Sequence, residues 1–170
     1  MVSQDVRQTA VQATAAGDGS VRRVLVAFDG SDGAWAALAQ AIEIAASNHA
    51  LLTIAAVVQE PRCVWMGPGA MAVPYTRETI RRELEREMLR HLANARDEVP
   101  ATLSVTTQLL RGRAARVLAE YAEAGCYDLV VTGPRSTGRF SRWLRHSVTH
   151  GLLTRGRTSV LAVKAPSRPA

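Results

Sequence analysis

The residues best suited to chemistry lie late in the chain. Asp128-Leu129-Val130-Val131-Thr132 leads into Gly133, Ser136, Thr137, Gly138, Ser141 and Ser147, with Arg135, Arg139, Arg142 and Arg145 among them. Small residues let a backbone approach a ligand closely, and helix-start amides together with guanidinium groups favour anions. A phosphate is the natural guest. The stretch from Asp128 to Lys164 reads as strand, basic loop, helix, strand. Leu129–Thr132 is a short apolar run rich in β-branched residues, bounded by Gly125 and by Gly133-Pro134. Val148, Leu152 and Leu153 are expected on one helical face, with Gly156 as a cap, before a closing strand over Ser159–Val163.

A second candidate is Asp29, in Asp29-Gly30-Ser31-Asp32-Gly33. It reads equally as a turn residue opening an Asp-Gly pair and as a site residue that accepts from ribose hydroxyls or helps hold a cation. Other patterns fail on context. Gly67-x-Gly69-x-x-Ala72 matches a dinucleotide fingerprint in letters only. Eight residues separate it from the strand ending at Val58, and Pro74 stands against a helix there. No Gly-x4-Gly-Lys phosphate loop occurs, and the single lysine is Lys164. His146 and His150 have the four-residue spacing of one helical face, but no Glu-x-x-His context or third ligand accompanies them. Ser31, Ser147 and Asp29 lack a neighbouring histidine and a nucleophile elbow, so covalent catalysis is not expected. No general base stands in a persuasive position, and the chain is read as a binder, not an enzyme.

These residues need a scaffold, and the rest of the chain supplies one. Val24–Phe28 is a continuous apolar run suited to a buried parallel strand. Ser31 or Asp32 can cap the next helix, where Ala34, Leu38, Ala41, Ile42 and Ala45 share a face. Leu51–Val58 is the second strand. Gln59–Tyr75 combines Pro61, Gly67, Pro68, Gly69 and Pro74 with Val64, Trp65, Met66 and Met71, an apolar connection long enough to suggest a function. A helix from Thr76 to about Glu98 follows, with Ile80, Leu84, Met88, Leu92 and Ala95 along one face, and Pro100 stops it. Thr102–Leu110 alternates as a third strand. The helix after Arg111-Gly112-Arg113 turns Ala114, Val117, Leu118 and Tyr121 inward. Strand–helix four times with a fifth strand predicts a parallel sheet covered by helices on both faces. Ligands of such sheets bind beyond the carboxyl ends of the strands. Those ends are Asp29, Val57 and Val58, Arg111, and Gly133 onward.

The chain has 170 residues, 47% of them hydrophobic, and a mean hydropathy near zero, as expected of one soluble domain. No apolar run approaches the roughly 18–20 residues of a membrane helix, and residues 1–20 carry no secretory pattern and read as a flexible tail. Cys63 and Cys126 make neither a disulfide framework nor a metal spacing, which fits a reducing cytoplasm. The net charge of +6 is almost all arginine. It permits contacts with acidic ligands, and a coding bias toward arginine produces the same count. Nucleic-acid binding is not expected, because no reading motif or interleaved aromatics accompany the charge.

Taken in order, Val24-Leu25-Val26-Ala27-Phe28-Asp29-Gly30-Ser31, Gly112, Tyr127 to Arg135, His146-Ser147-Val148-Thr149 and Val160-Leu161-Ala162-Val163-Lys164 resemble the landmarks of the universal stress protein family. The resemblance covers residues 21–165 and leaves 166–170 as a C-terminal tail. It implies a five-stranded parallel doubly wound sheet of order 3-2-1-4-5, in which Asp29 faces Gly133. It also implies a homodimer through the last strand, residues 158–164, and a stress-response role with an unidentified protein partner. In the nucleotide-binding branch Gly-x2-Gly-x9-Gly-Ser/Thr wraps ATP, with Mg2+ as its counter-ion. Here Gly133 matches the first glycine and Ser147 the final hydroxyl, while Ser136 and His146 replace the other two glycines. The implied ligand set is Val57 or Val58 at the adenine and Asp29 at the ribose. Gly133, Arg135, Gly138, Ser147 and Val148 fall at the phosphates. The glycine-poor loop equally resembles the family's other branch, which binds no ATP and acts as an interaction module.

Overall fold

The computed structural model describes residues 20–59, 74–133 and 148–164. Its elements are β1 (Arg23–Ala27), α1 (Asp32–Asn48), β2 (Leu51–Val58), α2 (Pro74–Asp97), β3 (Val105–Arg111), α3 (Ala114–Ala124), β4 (Leu129–Thr132), α4 (Val148–Arg155) and β5 (Ser159–Ala162). All strand pairs are parallel and the order is β3-β2-β1-β4-β5. The chain starts in the middle of the sheet, runs out to β3, then returns across β1 to build β4 and β5. The winding therefore reverses between β1 and β4, where Val26 is level with Val131.

The central strands are apolar throughout because both faces are covered. In β1, Val24 and Val26 join one core cluster and Leu25 joins the other, as the two-residue period of a strand requires. The first cluster receives α1 through Ala34, Ala37, Leu38, Ala41 and Ala45, and α2 through Leu92 and Ala95. The run of alanines along α1 lets that helix lie close to the sheet. The second cluster receives α3 through Leu118, Ala119 and Ala122, and α4 through Leu152. At roughly 25 cal/mol per Å² of apolar area removed from water, each fully buried leucine contributes about 2 kcal/mol.

Four local expectations are corrected. Pro74 does not block a helix but opens α2, a position where the missing amide proton would have no partner anyway. The first objection to the Gly67 pattern stands, since β2 ends at Val58; the pattern itself lies outside the described residues. Ile80 is 45% exposed and does not share the inward face of α2; among the described residues of that helix only Leu92 and Ala95 are buried, with Met88 partly buried against the core. Strand β3 begins at Val105, not Thr102. Leu103 N–H donates to Pro100 in a turn, and ladder pairing starts where Leu52 meets Val105. Leu153 is 63% exposed while Leu152 is buried, since adjacent helical positions point about 100° apart and only one reaches the sheet. Gly156 N–H donates to the Leu152 carbonyl without entering the left-handed region.

Candidate functional site at the switch point

The carboxyl end of β1 turns sharply into α1. Phe28 N–H still pairs with the Ala55 carbonyl. Asp29 is exposed, and its Oδ1 accepts from Ser31 N–H at 3.1 Å. Ser31 is the N-cap of α1, and its hydroxyl accepts from Ala34 N–H at 3.2 Å. One Asp29 oxygen thus braces the turn, while the other has no partner among the described residues. Between them Gly30 adopts φ +76°, a conformation that favours glycine.

Gly133 ends β4 against the first turn of α1. A Cβ there would overlap the Gly33 carbonyl and stand 2.9 Å from Ala34 N. Glycine is required at 133 for a close approach of two backbones, before any role toward a ligand. The expectation that Gly133 faces Asp29 is refined by this contact: both lie at the same strand edge, and Gly133 abuts the helix that Asp29 introduces.

On the opposite face, Val57 and Val148 are both half-buried on the second core cluster, together with Ala27, Leu110 and Ala114. These side chains make an apolar rim at the carboxyl ends of β1, β2 and β3. Val58 is buried, and its carbonyl accepts from Gly112 N–H at 3.0 Å. The start of α4 is tied to the end of β4 by a 2.9 Å hydrogen bond between the Thr132 and Thr149 hydroxyls. Arg135, Gly138 and Ser147, with Ser136 and His146, lie outside the described residues.

Sequence reasoning missed two features of this edge. The imidazole of His91, from α2, lies against Gly30: a Cβ built there would stand 2.8 Å from Nδ1 and 2.9 Å from Cε1. Nothing local in the sequence links positions 30 and 91. The other is a cleft of about 200 Å³ lined by Val58, Glu78, Arg81, Glu85 and Arg111. Arg111 Nε donates to Glu85 at 2.9 Å, and Arg81 bridges Glu78 and Glu85 at 2.7 and 3.1 Å. The hydrogen bond from Arg111 holds the Glu85 carboxyl below the usual carboxylate range, and those from Arg81 and Arg82 do the same for Glu78. These charges satisfy one another and fasten α2 to the end of β3. The alternating charges four apart were a usable sequence signal; Arg111 as their partner was not.

Among the described residues no three His, Cys, Asp or Glu side chains converge as a metal site would require, and no helix is long and apolar enough to cross a membrane.

This is a doubly wound α/β domain with its polar edge at the point where the strand order reverses. The chain belongs to the universal stress protein family, whose model matches residues 20–164. The fold is similar to that of a universal stress protein solved in complex with cAMP, with a TM-score of 0.63 and 24% identity over 87% of this chain and 100% of that one. A universal stress protein family member from Burkholderia pseudomallei gives 0.66 and 26% over 86% and 98%. The Lactobacillus plantarum universal stress protein UspA gives 0.62 and 22% over 86% and 99%. No curated protein matches the sequence significantly.

Proposed function

We propose that this chain is a stress-response regulator that holds an adenine nucleotide at the carboxyl edge of its sheet and acts by binding, not turnover. The observation that carries the reading is the exposed Asp29 carboxylate at the switch point, with one oxygen fixed by its own turn and the other unpartnered among the described residues. An acceptor so braced suits the hydroxyls of a ribose. The apolar rim containing Val57 and Val148 suits a base. The described residues therefore fit the nucleoside half of ATP. The phosphate half, with any Mg2+, rests on Gly133, Arg135, Gly138 and Ser147, of which only Gly133 is described. A structural neighbour in complex with cAMP makes cyclic AMP the second ligand to try. The proposed working form is a cytoplasmic homodimer paired through residues 158–164, where β5 ends the sheet.

The test is titration calorimetry of nucleotide-stripped protein with ATP and magnesium, with AMP and cyclic AMP alongside. Wild type is expected to bind ATP with a dissociation constant on the order of micromolar, about −8 kcal/mol. Asp29→Ala is expected to weaken binding about tenfold or more through loss of charge-assisted hydrogen bonds to the ligand, with a small fall in melting temperature because Ser31 N–H loses its acceptor. Full affinity in Asp29→Ala removes the assignment.

Ser136 and His146, in place of two glycines of the phosphate loop, favour a second reading: a nucleotide-free dimeric interaction module. It is favoured if wild type binds none of the three nucleotides and Ser136→Gly with His146→Gly creates ATP binding.

A further inference from the structure

The turn carrying Asp29 is held from three sides. Asp29 Oδ1 accepts from Ser31 N–H within the turn, Ser31 anchors it to α1 as the N-cap, and the imidazole of His91 closes it from α2. The third contact is the unusual one. Gly30 has no side chain and a positive φ, so nothing of its own fixes this face of the turn. A Cβ built at Gly30 would meet Nδ1, Cε1 and Cγ of His91 at 2.8, 2.9 and 3.0 Å, so the ring takes the space that an ordinary residue's side chain would fill. The other side of the ring looks along its own helix, with Nε2 3.8 Å from Glu87 Oε1. His91 also sits beside the part of α2 seated on the core, where Leu92 and Ala95 are buried and Met88 is partly buried.

We propose that His91 is a positioning residue for Asp29, and that through the His91–Gly30 contact the seat of α2 and nucleotide occupancy at the switch point are coupled. The positioning rests on geometry alone; the coupling rests on the nucleotide reading above. A ligand that draws Asp29 into place fixes Gly30 and thereby the ring and its helix. By reciprocity, a partner that shifts α2 alters affinity by the same factor.

The first readout needs no nucleotide. In wild type the Gly30 and Ser31 amides are expected to be rigid on the nanosecond scale, with NMR order parameters near 0.85. In His91→Ala they should fall below about 0.6. In His91→Phe, which keeps a flat ring without nitrogens, they should stay near wild type. Unchanged values in His91→Ala overturn the positioning role, and the same loss in both variants overturns its basis in packing. The second readout is ATP affinity. His91→Ala should weaken it about fivefold to tenfold, and the Asp29→Ala/His91→Ala pair should lose less than the product of the single losses, as coupled residues do. Fully multiplicative losses overturn the coupling. If wild type binds no nucleotide, the nucleotide reading and the coupling both fall, and the order parameters still decide the positioning.

Discussion

The two ends of the sheet are built on opposite plans. At the amino end, polar groups are satisfied from within. Asp128 Oδ2 accepts from both Arg22 N–H and Arg23 N–H, at 2.8 and 2.9 Å, locking β1 to the start of β4. Arg23 lies over the Tyr127 ring at 4.9 Å, and the buried Tyr127 hydroxyl donates to Thr53, which shares a hydrogen bond with Thr106. A chain of three hydroxyls thus crosses from β4 to β3 on one face. At the carboxyl end, backbone meets backbone at Gly133, a glycine takes a left-handed turn at Gly30, and a carboxylate stands in solvent at Asp29. One end is arranged for cohesion, and the other leaves an Asp29 oxygen without a partner among the described residues.

The comparison breaks most severely at Gly133. Gly133→Ala forces a methyl group into the Gly33 carbonyl, and rigid backbone on both sides leaves little room to relax. A destabilisation of about 3 kcal/mol is expected, seen as a fall in melting temperature of roughly 6–12 °C, with loss of any nucleotide binding. An unchanged melting temperature would show that the approach of β4 to α1 is looser than described. Tyr127→Phe probes the cohesive end. Thr53 and Thr106 still satisfy each other, so only one buried hydrogen bond is lost, about 1 kcal/mol in chemical denaturation. Nucleotide affinity should not move; a change there would show that the two ends are not independent.

The smallest effect sharpens the carboxyl end and is read against pH. Glu85 has its pKa lowered by Arg111, so the folded state favours the ionised carboxylate. The resulting stabilisation is complete above the unfolded-state value of about 4.3 and is lost as pH falls through the lower folded value. Arg111→Ala should therefore be slightly less stable than wild type at pH 7, and the two should converge at the acid end of the titration. A gap that persists at low pH would assign the effect to packing of the arginine stem.

Much of the scaffold was legible because the physics behind it is local. A central parallel strand must be apolar on both faces, and Val24–Ala27, Leu51–Val58 and Leu129–Thr132 announce that in their composition. Ser31 announces a helix start by its chemistry. Edges and ends were harder. Thr102 and Leu103 alternate like a strand, but nothing pairs them, since β2 offers its first partner at Leu52. Leu153 and Ile80 look inward by type, yet both are exposed: Leu153 points away from the core that its neighbour Leu152 enters, and Ile80 lies off the buried face of α2. At the candidate site, Asp29 and Gly133 stood out because strand ends of such sheets face ligands. Their tertiary contacts did not: Gly33 meets Gly133 and His91 meets Gly30 across about a hundred and about sixty residues of chain, and the spacing of residues along the chain carries no trace of it.

The hydrogen bond between Thr132 and Thr149 has a consequence for how this fold varies. It fixes the end of β4 against the start of α4. For any flexible connection between two fixed points the closure entropy grows only slowly with length, about 0.6 kcal/mol for each doubling. A link between these two elements can therefore vary in length and sequence at little thermodynamic cost, while β4 and α4 keep their places.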